Sequence, residues 1–136
     1  MPQSPVETDL DTLVGERFVA FRRKLIHTFS ENHPHIFAIV KSVLSDRQSK
    51  IGMQVLEKGQ IAGNYTINLQ GIDISEVQSG ALVSDIHHPL LGTIKPYLVI
   101  ERMTLEQLIA DEEAFTKDIF TAFTKYLPEI TLKFLR

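Results

Sequence analysis

The stretch "IGMQVLEKGQIAGNYTINLQG", residues 51–71, decides the fold class. Apolar side chains recur at every second position on both sides of the segment "EKGQ", residues 57–60. A period of two is typical of a half-buried β-strand, and two such runs around a short Gly-containing turn predict a hairpin. The chain therefore contains an antiparallel strand pair near its middle.

More strands are predicted downstream of this hairpin. The segment around 72–77, "IDISEV", begins a third strand, and "PYLVIER", residues 96–102, gives another. Its run 97–100 is apolar at every position, which indicates a strand inside the sheet. Residues 81–95 show no clean period, so a short strand and an irregular loop both stay open there. The tail 130–136, "ITLKFLR", is either a last strand or an extended segment on the core.

Helices are predicted before the strands. Apolar residues recur at spacings of three and four along a helix of roughly five turns, with Thr8 or Asp9 as its cap. This stripe comprises Leu10, Leu13, Val14, Phe18, Phe21 and Leu25. Pro34 suits the first turn of a second helix, because its missing N–H costs nothing there. The segment "SDRQSK", residues 45–50, is expected to end that helix.

Helices are also predicted after the strands. Thr104 and Gln107 form the capping-box pattern "TLEQ", which places a helix start at Thr104. A second helical face repeats at intervals of four from Phe115, and Pro128 ends it. Consecutive strands with helices at both ends predict an α+β fold: two N-terminal helices, an antiparallel β-meander, and C-terminal helices packed on one face. We expect residues 1–8 to be a flexible lead-in and residues 9–136 to be a single domain.

Composition excludes several classes of function. The net charge is −3, so a strong phosphate-binding face is not expected, and we predict no nucleic-acid partner. The chain has no cysteine, which excludes disulfides and thiolate chemistry. No apolar run reaches the ~20 residues of a transmembrane helix, and the polar N-terminus lacks the features of a secretory signal. We therefore expect a cytoplasmic protein, and we take its origin to be bacterial.

Neither a catalytic motif nor a metal-binding motif is present. The histidine pairs His33/His35 and His87/His88 match no zinc-ligand spacing, so they are interpreted as surface residues, and no metal or cofactor is expected. Asp85 beside the second pair could form an Asp–His site in a cavity-type enzyme. That possibility stays open as a second alternative to the functions considered next.

The segments "GNYTINLQGIDISEVQSG", residues 63–80, and "YLVIERMTLEQLIADEEAF", residues 97–115, resemble the sterol carrier protein-2 (SCP2) sterol-binding family. The resemblance covers roughly residues 50–127. It implies a binder of lipid or another apolar molecule that performs no chemistry. In that arrangement a strand leads directly into a short apolar helix, and together they form part of a cavity wall.

The first hypothesis is therefore a carrier or accessory module with an internal hydrophobic cavity. The predicted ligand-binding residues are Ile67, Val99, Leu105, Leu108, Ile109, Phe115, Ile119 and Phe123. The alternative is a protein-interaction or homodimerisation module that uses helix 9–30, whose stripe of Phe18, Phe21 and Leu25 could pair with a partner.

Overall fold

The computed structural model of the protein describes residues 10–44, 48–88 and 90–136, and gives the side chains of all of these except Val43, Leu44 and His88. The predicted lead-in 1–8 and the predicted caps Thr8 and Asp9 lie outside the described residues. The central residues of the predicted stop "SDRQSK" lie outside them as well, whereas its last three belong to the first strand.

Two helices precede the strands. Helix α1 starts with helical residues 10–12, passes through a π-helical turn at Leu13–Arg17, and continues as an α-helix over Phe18–Asn32. Helix α2 spans Pro34–Leu44, so Pro34 begins it as predicted. Three short helices follow the strand region: α3 at Arg102–Ala110, α4 at Glu112–Lys117 and α5 at Ile119–Tyr126. A 3-10 turn at Leu127–Glu129 carries Pro128 and ends the helical region.

Five strands form the main sheet, in the spatial order β3-β2-β1-β6-β7. They are β1 at Gln48–Glu57, β2 at Gln60–Gln70, β3 at Asp73–Ser79, β6 at Pro96–Glu101 and β7 at Ile130–Phe134. The α+β class and the antiparallel meander β1-β2-β3 are confirmed. The sheet as a whole is mixed, because β6 pairs with β1 in parallel and with β7 antiparallel. The predicted interior position of β6 is confirmed, and the tail forms an edge strand.

The β1-β2 hairpin turns at the predicted segment 57–60. Lys58 and Gly59 both have positive φ, 53° and 80°, as the two central residues of a type I′ turn require. The Glu101 carboxylate accepts a hydrogen bond of 3.0 Å from the Gly59 backbone N–H. This contact holds the hairpin turn against the end of β6.

The two faces of the sheet are covered differently. One face packs against α1 and the C-terminal helices through a core that includes Leu13, Val14, Met53, Tyr65 and Leu105. The other face is partly covered by the segment that follows β3. There the Thr66 hydroxyl donates to the Ala81 carbonyl oxygen at 2.8 Å and accepts from the Val83 backbone N–H at 3.0 Å. Residues 81–95 thus combine both predicted possibilities: an irregular segment, then β4 at Ile86–His88 paired with β5 at Gly92–Ile94.

The predicted helix start at Thr104 is wrong. Helix α3 begins at Arg102, its N-cap is Glu101 in an extended conformation, and no side chain caps it. Thr104 is buried inside the first turn. The reason is that β6 runs directly into the helix, so no loop residue is left to place a capping hydroxyl.

Candidate functional site: an apolar cavity beneath the first helix

A cavity of about 350 Å³ lies between α1, the main sheet and the C-terminal helices. Helix α1 forms its longest wall, because its apolar stripe faces the sheet. The residues that α1 contributes are Phe18, Phe21, Arg22, Leu25, Ile26 and Phe29. The fully helical backbone of α1 places these side chains on one face at spacings of three and four, as an amphipathic helix does.

The sheet forms the floor of the cavity. Met53 of β1 and Leu98 of β6 are register partners, and so are Ile100 of β6 and Ile130 of β7. These four side chains line the cavity together with Ile72 from the β2-β3 turn. The floor therefore spans three adjacent strands, and all of the side chains named here are apolar.

The C-terminal helices form the remaining wall, which contributes Leu105, Leu108, Phe115, Ile119 and Phe123. Phe115 is 1% exposed and organises this wall. Its ring meets Phe21 edge to face at 5.2 Å between centroids, meets Phe123 at 5.8 Å, and stacks on Tyr126 at 5.7 Å. Such aromatic pairs add about 0.5–1.5 kcal/mol each beyond their buried area, so this wall is well fixed.

The cavity reaches the surface beside α2 and α5. Val40 of α2 and Phe123 of α5 both line the cavity and are both exposed. Within the described residues, Val40 is the only contribution of α2 to the lining. The neighbouring Ile36 and Ile39 of α2 are exposed as well. An apolar molecule could therefore enter from this side without crossing a polar shell.

Five of the eight predicted ligand-binding residues line the cavity: Leu105, Leu108, Phe115, Ile119 and Phe123. The other three, Ile67, Val99 and Ile109, do not. Val99 points to the opposite face of the sheet, because side chains alternate along a strand and its neighbours Leu98 and Ile100 face the helices. Ile67 is buried in the core of the sheet, and Ile109 packs between the core beneath α1 and the Phe115 cluster.

The α1 side of the cavity was not predicted as part of the site. The signal was present in the stripe of Phe18, Phe21 and Leu25, but that stripe was interpreted as a surface for a partner. In the structure Phe21 is only 4% exposed, and it packs against Phe115. The stripe is thus covered within the chain itself.

Arg22 is the only charged residue among the described residues that line the cavity. It also lines a second, smaller and more polar cleft with Val19, Arg23, Asp73 and Ile74. Burial lowers the pKa of the Arg22 guanidinium, and the negative charge of Asp73 acts in the opposite direction. No other described residue forms a hydrogen bond with this guanidinium. Arg22 therefore stands at the boundary between an apolar space and a polar cleft.

The residues considered for catalysis lie elsewhere. Asp85 and His87 are exposed, and Asp85 is engaged through its backbone, which exchanges hydrogen bonds of 3.0 and 2.8 Å with Lys50. Neither residue lines the cavity. Across the described ranges, no three His, Cys, Asp or Glu side chains converge as a metal site requires. None of the helices in those ranges has the length and apolar character needed to cross a bilayer.

No protein-family model matches this chain, and no curated protein matches it. The cavity is therefore the feature on which a functional inference rests.

Proposed function

We propose that the protein binds a lipid or another small apolar ligand in this cavity, as a carrier or accessory module, and performs no chemistry on it. The supporting observation is the continuous apolar lining of a space of about 350 Å³. Small-molecule sites typically measure roughly 300–1,000 Å³. Each buried methylene of a ligand stabilises the complex by about 0.8 kcal/mol, so such a lining supplies affinity without any reactive group.

The SCP2-like relationship is part of this proposal. It is supported by the transition from β6 into α3 without a loop, which places Leu98 and Ile100 on the floor and Leu105 and Leu108 on the adjoining wall. The cytoplasmic location and the bacterial origin stay predictions from the sequence.

The homodimer alternative is less well supported by the geometry. A dimer through the stripe of α1 would have to displace Phe21 from Phe115, with the loss of a well-packed aromatic contact. The cavity-enzyme alternative is also less well supported, because Asp85 and His87 lie outside the cavity lining.

Native mass spectrometry of protein purified without detergent tests the proposal. We expect a species heavier than the 15.4 kDa chain by the mass of a small apolar molecule, which solvent extraction then releases for identification. The neutral fluorescent probe N-phenyl-1-naphthylamine should bind the extracted protein with a rise in emission. A bare chain mass together with no uptake of the probe would overturn the proposal.

A further inference from the structure

We infer that the ligand of this cavity is an amphipathic monoanion, an aliphatic chain that lies in the cavity and ends in one carboxylate paired with Arg22. This inference rests on the proposed function, since it specifies the ligand class of the same site.

The first observation that supports the inference is the position of Arg22. Its side chain borders both the apolar cavity and the polar cleft that contains Asp73. An amphipathic ligand needs this pairing of environments, with space for a tail on one side and a polar, hydrated place for a headgroup on the other. Arg22 lies where the two meet.

The second supporting observation is the environment of the Arg22 guanidinium. Arg22 is half-buried, and its five N–H donors form no hydrogen bond with another described residue. Asp73 acts on this cation through its charge but not through a hydrogen bond, so the donors stay available, and a carboxylate suits them best because its two oxygens match the planar fork of an arginine.

The charges around the cleft limit the headgroup to a single negative charge. Arg22 and Arg23 line the cleft together with one carboxylate, that of Asp73, which leaves one unbalanced positive charge. A monoanion balances that charge. A dianionic phosphate monoester would leave an excess negative charge next to Asp73, which like-charge repulsion disfavours.

The volume sets the length of the tail. An engineered apolar cavity of about 150 Å³ holds benzene, with its six heavy atoms, so about 350 Å³ corresponds to on the order of a dozen heavy atoms. Decanoic acid is a ligand of that size. Decanamide has the same number of heavy atoms and carries no charge, so it is the matched neutral ligand.

The test is displacement of N-phenyl-1-naphthylamine by decanoic acid and by decanamide near neutral pH, in the natural protein and in Arg22→Met, Arg22→Lys and Arg17→Met. Arg17 is the matched control, because it is an exposed arginine on the same helix that lines neither the cavity nor the cleft. We expect the natural protein to bind the acid at least tenfold more tightly than the amide. Arg22→Met should lose about ten- to hundredfold in affinity for the acid and keep its affinity for the amide. Arg22→Lys should lie between these, and Arg17→Met should change neither affinity by more than about twofold.

Equal binding of acid and amide by the natural protein would overturn the inference, whether or not any variant folds. An acid preference that persists in folded Arg22→Met would overturn it as well. In both cases binding of the probe and the amide would leave the proposed function standing. If probe, acid and amide all fail to bind, the proposed function fails and this inference fails with it.

Discussion

The hydroxyl of Tyr65 donates a 2.7 Å hydrogen bond to the carboxylate of Asp11, which joins the middle of β2 to the beginning of α1. The Ser79 hydroxyl of β3 donates to the same carboxylate oxygen at 3.3 Å. Asp11 therefore fastens the start of α1 to two strands. These contacts hold the first turn of α1, which precedes the residues of that helix that line the cavity, against the sheet.

Tyr65→Phe should lower the free energy of unfolding by about 1.5 kcal/mol, as the loss of a hydrogen bond to a charged group does. The ring, which is 2% exposed, keeps its packing in this variant. Urea unfolding measures the effect. Tyr97→Phe is the control, since no other described residue hydrogen-bonds to that hydroxyl, and it should change stability by less than about 0.5 kcal/mol. Equal losses in the two variants would contradict the role given to Asp11.

Tyr65 should also make the protein less stable in alkaline solution. Burial, and after it the hydrogen bond to Asp11, raise the pKa of Tyr65 well above its ordinary value. Burial and the carboxylate of Asp111 also raise the pKa of Tyr126. The unfolded chain ionises its tyrosines near pH 10, whereas the folded chain resists, so this contribution is complete below about pH 10 and is lost as pH rises above it.

Urea unfolding at about pH 8 and about pH 11 measures this dependence. Tyr65→Phe should show a smaller decrease between the two values than the natural protein, because one of the two perturbed tyrosines is removed. An unchanged decrease in that variant would show that Tyr65 does not contribute.

Phe115→Ala should lower the free energy of unfolding by about 3–5 kcal/mol, because it removes the ring that Phe21, Phe123 and Tyr126 all contact. Thermal and urea unfolding measure this cost. Phe134→Ala is the matched control, since Phe134 lies on the edge strand and is 60% exposed. We expect a change of less than about 0.5 kcal/mol there, and a comparable cost at both positions would contradict the packing described.

Two glycine substitutions should act in opposite directions. At Gly52 an added Cβ would lie 2.7 Å from a Leu82 methyl carbon and 2.9 Å from the Tyr97 Cβ, so Gly52→Ala should cost on the order of 1–3 kcal/mol. At Gly15 in α1 nothing lies within 4 Å of such an atom, so Gly15→Ala should stabilise the protein by about 0.5–1 kcal/mol. Urea midpoints report both signs, and a stabilised Gly52→Ala would show that β6 does not approach β1 this closely.

A charged residue inside the cavity should prevent ligand uptake. Ile119→Asp places a carboxylate in the apolar lining, and we expect it to reduce binding of the neutral probe by at least tenfold. Ile39→Asp is the control, because Ile39 is also apolar but is 65% exposed and outside the lining. Fluorescence titration of both folded variants measures the difference. Full binding by folded Ile119→Asp would place the probe elsewhere.

Features that depend on local patterning could be predicted from the sequence. The turn at 57–60 follows from alternating runs around Lys58 and Gly59, and Pro34 marks the start of α2. The apolar run at 97–100 correctly indicated an interior strand. Each of these signals depends on neighbouring residues alone, which is why a single sequence is sufficient for them.

Features that depend on long-range pairing could not be predicted in the same way. The parallel register of Gly52 with Tyr97 joins segments that are far apart in the chain, and no local pattern specifies it. The run 97–100 is apolar at every position, so no local pattern shows which face of β6 meets the helices. Val99 was therefore assigned to the cavity in place of Leu98 and Ile100. Arg22 was missed because a charge beside an apolar stripe is ordinary on an amphipathic helix, and only the folded chain shows the cavity next to it.

The order of the strands has a consequence for how the chain folds during synthesis. The hairpin of β1 and β2 can form as soon as it leaves the ribosome, but the central strand β1 stays without its second neighbour until β6 has been made. The apolar face of α1 is covered even later, because Phe115 and the other residues that cover it follow β6 in the chain. We therefore expect nascent chains that end before residue 102 to be aggregation-prone and to depend on chaperones, and chains that extend through β7 to be released from that dependence.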